Sequence, residues 1–315
     1  MAPALVGIGA AVALAYLTNL LVPVVSALTA AVVLGVVAGS TPVLADASRL
    51  VVARLTKRML RAGVVLLGLQ LALPAVLALG PGVLVAVVLT VAVTFAGTVA
   101  LGRLLGVPRG LALLVATGFS ICGASAVAAM EDVVDREDSD VATAIALVTC
   151  YGGLAIAALP LLGGWLGVGG RDLGAWAGLS VHEVAQVVAA ATPAGAAAVG
   201  VAVVVKLSRV VLLAPMVALV SIRTRRAGGR ARLVPLFVLG FLAMVLVRST
   251  GLVPTPVLHL AAVCCTLLLA GALFGLGCAV RLGPLLRTGG RALLLGLLST
   301  ALIGTTSLLA LTALG

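Results

Sequence analysis

The feature that most constrains this chain is the recurrence of apolar runs, each near the ~20 residues that cross a ~30 Å hydrocarbon core. They fall at about 4–22, 24–44, 60–79, 83–102, 110–130, 140–163, 174–191, 196–221, 234–250, 257–280 and 291–314. Backbone polar groups in lipid are satisfied only within helices or closed barrels, and the alternating ten-residue segments of a barrel do not occur. The expectation is an all-α polytopic membrane protein of about 11 transmembrane helices, forming one integral membrane domain over 1–315. Charged residues make up only 9% of the chain, well below the quarter found in soluble domains. The first run lacks a basic leader and is followed at once by another, so it reads as a span and not a signal peptide. Cys122, Cys150, Cys264, Cys265 and Cys278 all sit in apolar runs and read as small packing residues.

The net charge of +11 does not point to nucleic acid, because the arginines cluster in the short segments between runs. With the N-terminus inside, the cytoplasmic loops are 45–59, 103–109, 164–173, 222–233 and 281–291. They carry Arg49, Arg54, Lys57 and Arg58; Arg103 and Arg109; Arg171; Arg223, Arg225, Arg226, Arg230 and Arg232; and Arg281, Arg287 and Arg291. That asymmetry predicts a cytoplasmic N-terminus and an outer C-terminus. An acidic loop holding Glu131, Asp132, Asp135, Glu137, Asp138 and Asp140 then faces outward, as a solvated cap or an anion-repelling mouth. Trp165 and Trp176 flank the 164–173 loop and read as interfacial anchors.

Three stretches carry polar chemistry at membrane depth. In Gly178–Thr192 (GLSVHEVAQVVAAAT), His182, Glu183 and Gln186 are placed on consecutive helical turns, and Glu183 is the only acid inside a span. A bare carboxylate there costs on the order of 3 kcal/mol, so it needs a use or a polar partner. Thr117–Ala126 (TGFSICGASA) concentrates small and hydroxyl residues. It reads either as a helix break whose N–H groups attract an anion or as a close helix–helix contact. In Val205–Arg209 (VKLSR), Lys206 lies too deep to snorkel, whereas Arg209 is placed to reach the inner interface. Lys206 would either neutralise Glu183 or supply the charge for a bound anion.

Internal echoes accompany these motifs. Residues 60–80 match 269–289 at Leu60/Leu269, Gly68/Gly277, Leu73/Leu282, Leu77/Leu286 and Gly80/Gly289, in runs that cross in opposite directions. Gly118-Phe119-Ser120-Ile121 echoes Gly178-Leu179-Ser180-Val181, as two similar half-helices facing one cavity would, and the loop charges have both running outward.

The segments GFSICGASAVAA (118–129), LSVHEVAQVVAA (179–190) and VVVKLSRVVLLAPMV (203–217), with LTKRMLRAGVVLLGLQLAL (55–73) upstream, resemble the YeiH-like family of bacterial inner-membrane sulfate exporters. The resemblance covers nearly the whole chain. It implies one extra helix plus two inverted five-helix repeats with broken crossing helices, at about 24–163 and 174–314. It also maps the family's ICGASA segment onto Ile121–Ala126, its His-acid-x-x-Gln motif onto His182, Glu183 and Gln186, and its basic pair onto Lys206 and Arg209.

Together these readings predict a secondary active transporter for a small anion, sulfate or an organic sulfonate. Ser120, Cys122, Gly123, Ser125, Gln186, Lys206 and Arg209 would bind the anion, and His182 and Glu183 would couple its movement to protons. No cofactor, metal cluster or enzyme activity is expected, and no GxxxxGK[ST] loop is present. Sodium as the coupling ion and a homo-oligomeric assembly stay open. The competing readings are a passive anion channel and an intramembrane hydrolase pairing Ser125 with His182.

Overall fold

The architecture is that of a computed structural model, which describes residues 2–21, 27–40, 46–131, 133–224, 236–279 and 290–314. Every regular element among them is helical. In chain order they are α1 (Ala2–Leu21), α2 (Ala27–Ser40), α3 (Asp46–Leu67), α4 (Leu73–Leu77), α5 (Pro81–Leu104), α6 (Arg109–Ser120), α7 (Ala124–Met130) and α8 (Asp138–Leu166). There follow α9 (Gly170–Ser180), α10 (Val184–Ala191), α11 (Ala196–Val211), α12 (Leu213–Thr224), α13 (Leu236–Ser249), α14 (Thr255–Ala279) and α15 (Gly290–Leu314). Among the described residues, five stretches are long and apolar enough to cross a membrane: Pro81–Leu104, Ser139–Leu166, Ala196–Arg223, Thr255–Gly275 and Gly290–Leu314. Shorter apolar helices accompany them.

The chain divides into two compact units, Met1–Gln70 with Gly240–Gly289, and Leu71–Leu239 with Gly290–Gly315. In the first, α14 packs against α2 and α3. Gly35 and Gly39 let α2 approach the backbone of α14 at Phe274 and Cys278, a small-residue contact that substitutes for the missing hydrophobic drive between helices in lipid. The basic segment 45–59, expected as a loop, is instead the start of α3. Val52, Thr56, Leu60, Val64 and Leu67 are buried at helical spacing while Arg54, Lys57 and Arg58 are exposed, so the segment is an amphipathic helix. The run expected at 60–79 correspondingly ends at Leu67 and breaks into a 3₁₀ turn and the short α4. Leu282, Leu286 and Gly289 of the first echo, and Asp132, Arg225, Arg226, Arg230, Arg232, Arg281 and Arg287, lie outside the described residues.

The second unit departs from the eleven-span expectation, because two of the expected spans fold back. After α6 the chain turns through Ile121–Gly123, and α7 returns beside it. Gly118 of α6 faces Val127 of α7, and Gly110 near the start of α6 lies against the backbone of Asp135 and Arg136. A continuous helix would hold Gly110 and Asp135 about 37 Å apart at 1.5 Å per residue. The turn needs Gly123, whose φ of 75° is open to few other residues. Similarly, α9 ends at Ser180, the chain turns through Val181–Glu183, and α10 returns. Leu173 and Ala177 of α9 share a buried cluster with Ala190, Ala191 and the following Ala194.

These two hairpins enter from opposite faces, so α6 and α9 do not both run outward as the loop charges implied. Gly174 and Gly178 of α9 touch Ala198 and Ala202 of α11, so α9 and α11 run in the same direction. The span α11–α12 then passes α6 in the opposite direction, with Met216 beside Ser120 and Arg223 near Arg109. Each half-helix is a dozen residues or fewer, about 10–18 Å, which carries the two tips only to mid-membrane.

The fold-back corrects the loop assignment as well. The described acidic residues from Asp135 to Asp140 lie on the same face of this unit as Arg103 and Arg109, and Arg171 lies on the other. Glu131 pairs with Arg136 at 3.6 Å, and Glu137 caps α8 reciprocally with Asp140. Trp165 is 86% exposed, as an anchor would be, but Trp176 is only 3% exposed and donates its indole N–H to the Gly304 carbonyl at 3.0 Å. It is a core residue. Among the cysteines, Cys150 is exposed on α8 and not packed as expected.

Candidate functional site

The hairpin tips create a specific electrostatic problem. Where α6 and α9 stop, their last carbonyls have no helical partner, and lipid provides none. Both helix dipoles also point their negative ends at the same buried spot. Lys206 and Arg209, three residues apart on α11 and so on one face, answer both. Lys206 Nζ donates to the Ile121 carbonyl at 2.6 Å and the Val181 carbonyl at 2.7 Å, joining the two tips through one ammonium group. Arg209 Nε and Nη2 donate to the Ser120 carbonyl at 3.2 and 2.7 Å, and Nη2 also reaches Phe119 at 3.1 Å. Its Nη1 donates to Gly178 at 3.0 Å and Val181 at 3.2 Å.

Two expectations change here. Arg209 does not reach an interface: it is completely buried, because its fork matches the carbonyls of both tips. Lys206 makes no ion pair with Glu183, since the two tip carbonyls hold its ammonium.

The His182–Gln186 stretch is also not one continuous helical face. His182 and Glu183 lie in the turn, with Glu183 as the N-cap of α10. Its N–H donates to Gln186 Oε1 at 3.1 Å, while its carboxylate accepts the Gln186 backbone N–H in a reciprocal capping box. The start of α7 also lies against that side chain, with Gly123 packed on Glu183 Cγ and Oε1. Glu183 thus serves the positive ends of α7 and α10, as Lys206 and Arg209 serve the negative ends of α6 and α9. Glu183 Oε1 is left without a hydrogen-bond partner among the described residues. His182, fully buried, stacks on Phe119 with ring centroids 4.3 Å apart. The Phe119 backbone lies close by, yet neither ring nitrogen completes a hydrogen bond among the described residues.

The remaining expected residues are near the tips but engaged locally. Ser120 Oγ donates to the Thr117 carbonyl at 3.4 Å and faces Met216 Sδ at 4.0 Å. Ser125 Oγ donates to the Cys122 carbonyl at 3.2 Å and contacts Cys122 Sγ at 2.8 Å. Ser125 makes no hydrogen bond to His182. The Gly123 N–H donates to Gly118 at 2.9 Å. Three contributors escaped the sequence reading: Phe119 under the imidazole, Val148 against Gly123, and Gly152, whose missing side chain makes room for the Gln186 amide. The Gly152-Gly153 pair within an apolar helix was the available signal for the last. No group of three or more metal-ligating side chains occurs among the described residues.

With this geometry in view, the relatives are informative. A family model described as conserved hypothetical protein 698 matches residues 3–296. A UPF0324 membrane protein of Corynebacterium glutamicum is 43% identical over 312 residues, covering 97% of this chain and 90% of the relative. The chain belongs to the UPF0324 family. Other UPF0324 membrane proteins, from Agrobacterium fabrum and Bartonella henselae, are 37% and 34% identical. They cover 80% and 90% of this chain, and 74% and 82% of their own lengths. No solved structure matches. The YeiH-like resemblance is consistent with UPF0324 membership. In this UPF0324 chain, therefore, two helical hairpins from opposite faces meet at a buried node holding two formal cations, one carboxylate and an imidazole with no hydrogen-bond partner among the described residues.

Proposed function

We propose that this UPF0324 protein is a secondary active transporter of a small anion, sulfate or an organic sulfonate, coupled to protons through His182 and Glu183. The observation that carries this reading is the pair of unpartnered groups at the joined tips, the His182 imidazole and Glu183 Oε1. A buried polar group without a partner costs about 1–3 kcal/mol, and it persists where a ligand, ion or water is meant to complete it. The node also carries one more formal positive charge than negative, counting Lys206 and Arg209 against Glu183, which suits an anion. A protonated Glu183 would donate to the anion, and an ionised one would repel it. Protons and anion would then move together.

On this reading the two hairpins belong to inverted repeats, each contributing one re-entrant tip to a central site. The face bearing Arg103, Arg109, Arg223 and Arg291 is cytoplasmic by the positive-inside rule, in a bacterial inner membrane. The test is uptake of labelled sulfate, and of a panel of sulfonates, into proteoliposomes under an imposed pH gradient. The reading expects saturable uptake that follows the gradient, and it falls if none of these anions moves.

A further inference from the structure

A second site lies outside the buried node. An apolar cavity of about 660 Å³ runs between α5 and α12, floored by the start of α6. On α5 it is lined by Val88, Ala92, Phe95, Val99 and Arg103, one helical stripe about 22 Å long. Opposite it the lining runs from Leu212, at the junction of α11 and α12, to Arg223 on α12. The start of α5 packs with α11, with Ala86, Val87 and Val83 against Val201 and Val205. Hence α5 and α11–α12 run in the same direction, and their cationic ends coincide. Arg103, Arg109 and Arg223 converge at one end of the groove, while its remaining wall is uncharged. All three are exposed, and none of their guanidiniums has an ion-pair or hydrogen-bond partner among the described residues. A smaller cavity of about 190 Å³ opens beside Arg103 and Arg109.

We infer that this groove binds an anionic phospholipid, its phosphate held by Arg103, Arg109 and Arg223 and one acyl chain laid along α5 and α12. The charge pattern selects this occupant. Three guanidiniums grip phosphate oxygens in a bidentate manner, and basic pockets between membrane helices hold anionic headgroups. An inorganic anion would gain nothing from the long hydrocarbon wall, and a neutral lipid would leave the arginines unmatched. The groove exceeds the ~15 Å depth of one leaflet, so a whole chain is accommodated. Because Met216 lines this groove and also touches Ser120, the bound chain abuts the α6 tip. The site does not depend on the transport reading.

The experiment uses delipidated full-length protein in detergent, followed by native mass spectrometry and thermal unfolding. Phosphatidylglycerol is expected to be retained and to raise Tm by several degrees, whereas phosphatidylcholine and inorganic phosphate do neither. The Arg103→Gln/Arg109→Gln/Arg223→Gln variant should hold phosphatidylglycerol about a hundredfold more weakly, at ~1 kcal/mol for each charge. Ala96→Trp, which fills the groove without touching its charges, should also abolish retention. If the triple variant misfolds, Arg223→Gln alone is expected to weaken retention several-fold. Equal retention of phosphatidylcholine, full competition by inorganic phosphate, or undiminished binding in Ala96→Trp would each overturn the assignment.

Discussion

Ile121 and Val181 turn their carbonyl oxygens toward the same ammonium group, Lys206 Nζ, at 2.6 and 2.7 Å. These are equivalent positions in the echo that relates Gly118-Phe119-Ser120-Ile121 to Gly178-Leu179-Ser180-Val181. One side chain on a third helix therefore fastens two half-helices that arrive from opposite sides of the unit.

Removing that fastening should be costly. Lys206→Met leaves the Ile121 carbonyl bare in a dry interior and the Val181 carbonyl with only its longer bond from Arg209 Nη1, and an orphaned group costs about 1–3 kcal/mol. The variant is expected to lose about 2–5 kcal/mol of stability, measured as a fall in Tm and in denaturant midpoint in detergent. Arg171→Gln, an exposed charge without a partner among the described residues, should change stability by no more than ~0.5 kcal/mol.

Two adjacent glycines offer an internal control. A methyl group on Gly152 would collide with the Gln186 amide, while one on Gly153 meets nothing within 4 Å. Gly152→Ala should push Gln186 from its seat, cost about 1–3 kcal/mol by overpacking and impair transport. Gly153→Ala should leave both stability and transport unchanged or slightly improved. Tm and initial uptake rates of the two variants decide this.

Proton coupling is separable from anion binding. Glu183→Gln keeps the shape of the carboxylate but cannot gain or lose a proton, so it should abolish the response of uptake to a pH gradient. Anion exchange at equal pH should persist, with a stability loss of about 1 kcal/mol from the weakened cap. His182→Gln, which replaces a buried imidazole without hydrogen-bond partners, should also reduce the gradient response while leaving the cap of α10 intact. Flux at equal and unequal pH separates the two effects.

The chain announced much of this arrangement. Hydropathy located the long spans α5, α8, α11–α12, α14 and α15 to within a few residues, because length and apolarity are what a bilayer selects. Glycine and hydroxyl residues around Gly123 allowed a break after α6 as one of two readings, and the Gly118/Gly178 echo marked the two half-helices while leaving their opposite directions unread. The reversal of direction at each tip was not legible. A stretch such as 110–130 is as apolar and as long when it dips halfway and returns as when it crosses. The information lies in contacts such as Gly110 with Asp135, which hydropathy does not carry. Nor could the sequence show that carbonyl groups would claim Lys206 and Arg209. That follows from two helix C-termini meeting, and only the fold brings them together.

The most direct test of the account is the sidedness of thiol labelling at the ends of the two hairpins. Single cysteines at Leu105, Glu137, Arg171 and Thr192, in a background with the five native cysteines replaced by serine, would be probed with an impermeant reagent in intact spheroplasts and inverted vesicles. Re-entrant hairpins from opposite faces predict that Leu105→Cys and Glu137→Cys label from one side, and Arg171→Cys and Thr192→Cys from the other. If Leu105→Cys and Glu137→Cys label from opposite sides, 110–130 crosses the membrane, the tips do not meet at Lys206 in this way, and the proposed site is wrong.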